Sequence, residues 1–256
     1  APICTKRGVA FFGRDSESTL PVWSARDGYP GNPNYREFHR DLGWDLSIEN
    51  LKKIGIQEKR PLGIKLFKIS SKNTSLADKE EYDPKAAKES VEKDAENYLK
   101  DRKKQLIKLE NSMQIEPLLI APFDAELFGH WWFEGPIFLS NIFIKSKNEG
   151  IKLITLKEAI QVTSKIQLCN PSPSSWGQGG FHDYWLDKSN AWIVHEWSKA
   201  GREMVSICSK GLIDESNIKI ISQAGRELLL CQSSDWSFIL KAGTTTELAR
   251  ERINLH

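Results

Sequence analysis

Short apolar runs alternate with polar stretches in the first part of the chain. Residues 7–12 (RGVAFF), 116–121 (EPLLIA) and 152–154 (KLI) are such runs, and each is followed by turn-forming or helix-starting residues. This pattern predicts buried strands. Residues 62–70 have a weaker strand-like pattern, and the Asp, Gly, Pro and Asn content of residues 27–34 predicts a loop.

Residues 72–110 are the most charged segment, with ten charged side chains of each sign. Such a run is compatible with a disordered tail or with an amphipathic helix. After Asp83-Pro84, a favourable helix start, apolar residues recur at helical spacing. These residues are Ala87, Val91, Ala95, Tyr98 or Leu99, Leu106 and Leu109. We therefore predict one long helix over about 84–110 with a solvated outer face.

Beyond about residue 188 the apolar spacing is helical throughout. One stripe runs from Ile193 to Ile207 and is closed by Gly211, and a second runs from Ile221 to Cys231. Thr155 with Glu158, and Thr244 with Glu247, have the spacing of a capping box that starts a helix. The chain is thus predicted to be α/β, with strands and helices alternating first and an all-helical part following.

Composition and net charge exclude several classes of protein. A net charge of +2, 39% hydrophobic residues and a mean hydropathy of −0.45 predict a folded soluble protein and argue against nucleic acid as a partner. No apolar stretch approaches the roughly 20 residues of a membrane span. Four dispersed cysteines without a C-x-x-C pair predict no metal site and favour a cytoplasmic location. The sequence contains no recognisable cofactor-binding motif and no feature that indicates an oligomeric state.

Nine tryptophans are present, and six lie between residues 131 and 197. The densest aromatic cluster follows the apolar run 116–121 and spans residues 121–136 (APFDAELFGHWWFEGP). Parallel α/β sheets and barrels place catalytic groups at this end of a strand. Asp124 is a candidate general acid because burial beside aromatic rings raises a carboxyl pKa. The structural alternative is that Asp124 caps a turn while Trp131 and Trp132 pack in the core.

A second cluster covers residues 171–185 (PSPSSWGQGGFHDYW). Its glycines match neither common phosphate-binding pattern. They predict a tightly turned or mobile loop that presents Trp176 and Trp185 to a ligand rather than to the core.

These residues carry a family resemblance. The run from Asp124 to Pro136 resembles the fourth sequence motif of glycoside hydrolase family 57, and most closely its 1,4-α-glucan branching enzymes. Ser174-Ser-Trp-Gly with Trp185 resembles the fifth motif. Further similarity is carried by Phe12-Gly-Arg14-Asp15, Val22-Trp23-Ser24, Gly28-Tyr-Pro-Gly, residues 35–45 and Ser234-Asp235-Trp236. The resemblance extends over essentially the whole chain.

The resemblance implies the C-terminal part of a distorted, incomplete (β/α)7 barrel at residues 1–162, followed by an incomplete helical domain at 163–256. It implies that Asp124 is the acid/base of a retaining mechanism acting on α-glucan. The residues expected to contact glucan are Arg14, Trp23, His130, Trp131, Trp176, Trp185 and Asp235.

One departure limits what this chain is expected to do alone. Nothing before Asp124 resembles the family's His-containing first motif or its nucleophilic Glu. We expect both to lie upstream, in a protein of which this chain is a portion truncated at both ends. Glu126 is the less favoured stand-in for the nucleophile. Alternatives to branching are an α-amylase or 4-α-glucanotransferase of the same family, or a glucan-binding module without turnover.

Overall fold

The computed structural model describes residues 2–113, 115–211 and 213–256. It consists of two compact units, one ending at Asn170 and the other beginning at Pro171. The first unit contains α1 (Ser16–Trp23), α2 (Leu42–Asp45), α3 (Ile48–Lys53), α4 (Pro84–Ser112), α5 (Gly135–Lys145) and α6 (Leu156–Val162), with strands β1 (Ile3–Cys4), β2 (Ala10–Phe11) and β3 (Gln167–Leu168). The second unit contains α7 (Ala191–Ser209), α8 (Ile218–Cys231), α9 (Ser234–Ala242) and α10 (Thr246–Leu255).

The long charged segment forms the predicted helix, α4. Asp83 caps it by accepting hydrogen bonds from the backbone N–H groups of Lys85 and Ala86, and Pro84 occupies the first helical position. The predicted apolar stripe is buried from Ala87 to Leu99, and α4 packs against α5. The interpretation as a helix rather than a tail is therefore confirmed.

Two polar residues extend the buried stripe of α4. Arg102 and Gln105 are both buried, and the Gln105 amide donates hydrogen bonds of 3.0 Å to the carboxylate of Asp15. Asp15 also caps α1 by accepting from the N–H of Ser18 at 2.7 Å. This polar contact ties the start of α1 to the side of α4.

Aromatic rings fill the core of the first unit. Trp132 and Phe138 have ring centroids 4.8 Å apart, and Tyr35 lies 5.7 Å from Trp132. Tyr29 and Tyr98 contact Phe138 from the other side. Because Trp132 and Phe138 flank the start of α5, the core fixes the segment that precedes this helix.

The sheet is small, with strand order β2-β1-β3. Ile3 pairs with Phe11 in an antiparallel register and with Gln167 in a parallel one. Of the predicted run 7–12, only the two residues of β2 form a strand.

Paired strands were expected at two further runs and do not form there within the described residues. Residues 116–121 and 152–154 have no regular secondary structure and form no strand ladder. The expected burial is also wrong: residues 117–121 are only partly buried, and Lys152 and Leu153 are exposed. Residues 62–70 contribute only isolated bridges, such as Phe67 with Glu81. An apolar run favours burial, but a strand also needs a neighbour that offers free backbone groups.

The second unit is helical, as predicted. The stripe from Ile193 falls on α7, the stripe from Ile221 falls on α8, and Ile193, Leu240 and Ala249 form a buried core. Helix α9 was not predicted. None of the helices in the described ranges is both long and apolar enough to cross a membrane.

The two predicted capping boxes have different outcomes. Thr155 and Glu158 form the predicted box at the start of α6, with both reciprocal hydrogen bonds present. The box predicted from Thr244 and Glu247 is wrong. The residue that caps α10 is Thr245, and its side chain makes no capping hydrogen bond.

Candidate functional site

Asp124 follows the apolar segment 116–121 and directly precedes a short 3₁₀ helix, Ala125–Leu127. Its backbone carbonyl accepts from the N–H of Leu127 at 3.2 Å. Its carboxylate does not cap this turn, and it accepts no hydrogen bond from the described residues. The capping alternative is therefore wrong for the side chain, which is left available for other chemistry.

The surroundings of Asp124 favour its protonated form. Partial burial raises the pKa of the Asp124 carboxyl, and the negative charge of Glu126 raises it further. A carboxyl with a raised pKa and no hydrogen-bond donor to stabilise its anion holds its proton at higher pH. This is the property that a general acid needs near neutrality.

The chain after Asp124 folds back on itself. The N–H of Trp131 donates to the carbonyl of Glu126 at 3.1 Å, and the N–H of Gly129 donates to the carbonyl of Trp132 at 2.8 Å. Gly129 takes a φ of +99°, which a side chain would disfavour. This turn fixes the backbone of residues 131 and 132 beside that of Glu126 and Leu127, just after Asp124.

The two adjacent tryptophans have different environments. Trp132 is 2% exposed and packs in the aromatic core, whereas Trp131 is 46% exposed. The interpretation of both tryptophans as core residues is therefore confirmed for Trp132 and wrong for Trp131.

Trp131 is part of a row of three exposed rings, which we call the aromatic face: Phe38, His130 and Trp131. Ring centroids are 6.0 Å apart between Phe38 and His130, and 6.1 Å apart between His130 and Trp131. The Nζ of Lys65 lies 5.6 Å from the Phe38 ring centroid. Aromatic faces with polar neighbours are suited to contact the apolar C–H faces of sugar rings while hydrogen bonds reach the hydroxyls.

Arg14 lies just before helix α1, and Trp23 lies at its end. The N–H of Asp15, the residue after Arg14, donates to the carbonyl of Ile120 at 2.8 Å. The exposed Arg14 is therefore close to the segment that leads into Asp124. Trp23 ends α1 and is only partly exposed, because its ring packs against the core. Less of its surface is available to a ligand than the resemblance implies.

Phe38 and Glu134 are not among the site residues predicted from the sequence. Phe38 lay within residues 35–45, where an aromatic residue between charged and histidine neighbours was the available signal. Glu134 is 1% exposed, which is unusual for a carboxylate. Its position in an otherwise aromatic run was the only hint of burial.

In the second unit, the glycine-rich segment forms a closed loop. The N–H of Ser175 donates to the carbonyl of Gly180 at 2.8 Å, and the N–H of His182 donates to Oγ of Ser175 at 2.7 Å. Gly177 takes a φ of +99° directly over the indole of Trp185. The loop is therefore tightly turned, in agreement with the first of the two expectations.

Both predicted tryptophans of this loop retain accessible surface. Trp176 is 40% exposed, and Trp185 is half-buried against Phe238 of α9, with ring centroids 6.3 Å apart. Tyr184 stacks on Phe238 at 4.8 Å. Asp235 is exposed at the start of α9, where its carboxylate accepts from Oγ of Ser233 at 2.8 Å. Phe238, rather than Asp235, is the residue of α9 that reaches the loop.

Asn190 holds this arrangement together from within the core of the unit. It is fully buried, and its Nδ2 donates to the backbone carbonyls of Tyr184 and Ser237 at 2.8 and 3.0 Å. These two bonds connect the end of the loop to α9. Within the described ranges, no group of three or more metal-ligating side chains comes together.

Comparisons with known proteins identify relatives of the whole chain. Residues 196–256 match the family described as "1,4-alpha-glucan branching enzyme, C-terminal". The chain is 34% identical to a 1,4-alpha-glucan branching enzyme of Thermococcus kodakarensis over 97% of its own length and 34% of that relative.

Two solved structures share the fold. An alpha-amylase from Thermotoga maritima is 39% identical with a TM-score of 0.78, over 100% of this chain and 48% of that one. A GH57 branching enzyme from Thermococcus kodakaraensis, in complex with glucose and additives, is 31% identical with a TM-score of 0.80, over 100% of this chain and 44% of that one. The chain thus spans between about a third and half of the proteins it matches.

Proposed function

Because this chain belongs to glycoside hydrolase family 57 and matches the C-terminal portion of its branching enzymes, we propose that the protein containing it is a 1,4-α-glucan branching enzyme. The observation that carries this proposal is Asp124. Its carboxyl has a raised pKa, and its carboxylate accepts no hydrogen bond within the described residues. It lies six and seven residues before the exposed rings of His130 and Trp131.

The proposed chemistry is retaining transglycosylation. Protonated Asp124 donates its proton to the leaving glycosidic oxygen while a second carboxylate attacks the anomeric carbon. Asp124 then takes the proton from the 6-hydroxyl of an acceptor glucan, and that oxygen replaces the enzyme carboxylate to form an α-1,6 branch. Since the chain spans less than half of its branching-enzyme relatives, we assign the second carboxylate to a segment outside this chain.

The exposed rings are assigned to substrate binding. Trp131 and His130 lie close in sequence to Asp124, and Arg14 precedes Asp15, whose N–H donates to the carbonyl of Ile120 before Asp124. The accessible part of Trp23 is assigned to binding from the family resemblance. Trp176 and Trp185 present further rings in the second unit, and Asp235 marks the helix that supports them. Aromatic surfaces that stack an acceptor chain and exclude water favour transfer over hydrolysis.

The finer description of the fold is part of the same proposal. Residues 1–162 are assigned to the C-terminal part of a (β/α)7 barrel, and 163–256 to the helical domain that follows it. The apolar segments 116–121 and 152–154 support this, because they lack ladder partners within the described residues and are suited to pair with strands from elsewhere. The dispersed cysteines favour the cytoplasm.

The test is product analysis with the full-length protein and linear amylose as substrate. Branching transfers glucan chains without net hydrolysis, so α-1,6 linkages accumulate while the number of reducing ends stays constant until the products are debranched. Reducing ends that rise without α-1,6 linkages would instead indicate an α-amylase. That second candidate is favoured by the 39% identity to the Thermotoga maritima alpha-amylase.

A third outcome concerns this chain alone. It carries the aromatic rings and only one carboxylate of the proposed catalytic pair. We therefore expect the isolated chain to bind glucan without turnover, and measurable hydrolysis or branching by it would contradict the assignment of the nucleophile to another segment.

A further inference from the structure

Glu134 is a buried carboxylate that the proposed chemistry does not use. Its Oε1 accepts hydrogen bonds from the backbone N–H of Arg36 at 3.1 Å and from the hydroxyl of Tyr82 at 2.8 Å. Its Oε2 is buried and has no hydrogen-bond partner in the described part of the chain. Burying a carboxylate in this way costs free energy, so the contacts it makes need a reason.

The carboxylate of Glu134 does not serve the helix it precedes. Glu134 is the cap residue of α5, yet its side chain makes no capping hydrogen bond. Instead, the side chain reaches two segments that are distant in sequence, those of Arg36 and Tyr82. The side chain therefore joins three parts of the first unit.

The ring of Phe133 reinforces the same junction. The guanidinium carbon of Arg36 lies 3.4 Å from the Phe133 ring centroid, and Tyr82 packs edge-on against that ring at 6.2 Å. Both residues that hydrogen-bond to Glu134 thus also contact its neighbour. The segment containing Arg36 is held in one register against the segment that follows Trp131.

This junction contributes to the position of Phe38, together with the N–H of Glu37, which donates to the carbonyl of Phe67 at 2.9 Å. Phe38 follows Arg36 by two residues, and Trp131 precedes Glu134 by three. The edge-on contact between Phe38 and His130, 6.0 Å between centroids, is the only one of the two ring contacts within the aromatic face that joins different chain segments. If the Arg36 segment shifted, Phe38 would separate from the other two rings.

We propose that Glu134 is a positioning residue, which holds the Arg36–Phe38 segment so that Phe38, His130 and Trp131 form one continuous surface for α-glucan. The inference rests on the proposed function for the identity of the ligand. It adds Phe38 to the glucan-contacting residues and gives the buried carboxylate a role through the aromatic face rather than through the reaction itself.

The experiment compares variants in the full-length protein with amylose as substrate. Glu134→Ala removes both acceptor contacts, and we expect KM to rise about tenfold while kcat changes much less. Tyr82→Phe removes one donor and should raise KM by about two- to threefold. Glu134→Gln keeps an oxygen that accepts both hydrogen bonds, so it should restore KM to within about twofold of the parent.

Glu158→Ala is the matched control. One carboxylate oxygen of Glu158 also accepts from a backbone N–H and a hydroxyl, both of Thr155 and both at 2.8 Å, so its hydrogen bonds lie outside the Arg36 and Glu134 segments. It should lower thermal stability while leaving KM close to that of the parent. An equal rise in KM for Glu158→Ala and Glu134→Ala would overturn the proposal, because general destabilisation would then explain both.

Amide hydrogen exchange on the same proteins separates this inference from the proposed function, since it needs no substrate. Faster exchange at residues 36–39 in Glu134→Ala, but not in Glu158→Ala, supports the positioning role. Faster exchange with an unchanged KM would overturn the role of the aromatic face in glucan binding. If Glu134→Ala does not fold, Tyr82→Phe and Glu134→Gln decide, and an unchanged KM and exchange in Tyr82→Phe would overturn the proposal.

Discussion

Substitution of Gly177 by Ala is the sharpest test of how the second unit presents its rings. Gly177 has a φ of +99° and a ψ of −170°, a backbone region that is essentially restricted to glycine. A Cβ at this position would lie 3.1 Å from Cη2 and Cζ3 of Trp185. That separation is shorter than the optimal carbon–carbon contact of about 3.5 to 4.0 Å.

The expected cost has two parts. The backbone strain contributes about 1 to 3 kcal/mol, and crowding against a packed ring contributes about 1 to 3 kcal/mol if the ring holds its position. We therefore expect Gly177→Ala to lower the free energy of unfolding by about 2 to 6 kcal/mol, or to displace Trp185 and lower it by less. In either case the substitution should weaken retention of the chain in glycogen-containing native gels.

Gly180→Ala is the control within the same loop. Gly180 also has a positive φ, +73°, but the nearest atom to an added Cβ is the Ser175 carbonyl oxygen at 3.8 Å. We expect a cost of about 1 to 2 kcal/mol in urea unfolding and no loss of glycogen retention. Equal stability and equal retention of the two variants would refute the claim that Gly177 sets the position of Trp185 for binding.

Three further predictions concern separate parts of the chain. In the full-length protein, Glu126→Gln removes the charge that raises the pKa of Asp124, so the loss of activity with rising pH should begin at lower pH in a kcat/KM profile. In the isolated chain, Trp176→Ala and Trp185→Ala should each reduce capture on immobilised glycogen, and unchanged capture would count against that ring. Asp15→Ala removes the cap of α1 and leaves Gln105 without its acceptor, which should cost about 2 kcal/mol in urea unfolding.

Helices were predictable where one local signal sufficed. The spacing from Ala87 to Leu99 and the start at Asp83-Pro84 placed α4 within a few residues of its observed ends. The Thr155–Glu158 box was also correct, since both partners lie within one turn. The Thr244–Glu247 box failed because α10 begins at Thr246, one residue later than this box requires, and spacing alone does not fix where a helix starts.

Strands were predicted less well because pairing is not local. Residues 116–121 are as apolar as a buried strand requires, yet their backbone forms no ladder within the described residues. The pairing that does occur joins Ile3 to Gln167, more than a hundred and sixty residues apart. No pattern within either segment indicates that partner.

The candidate site was predicted only in outline. The motif resemblance predicts roles for Asp124 and Trp131, but it does not distinguish the exposed Trp131 from the buried Trp132 next to it. Trp132 points into the core because Gly129 reverses the chain before it. Glu134 and Phe38 were missed because their relationship depends on a contact between segments about a hundred residues apart.

The assignment of Asp124 as acid/base is tested most directly by measuring α-1,6 linkages formed from amylose by the full-length protein and two variants. Glu126→Gln is the matched control for Asp124→Asn, since both replace a carboxylate by an amide two residues apart. We predict that Asp124→Asn forms no α-1,6 linkages and that Glu126→Gln retains branching. Branching by Asp124→Asn, or its loss in a folded Glu126→Gln alone, would contradict the account.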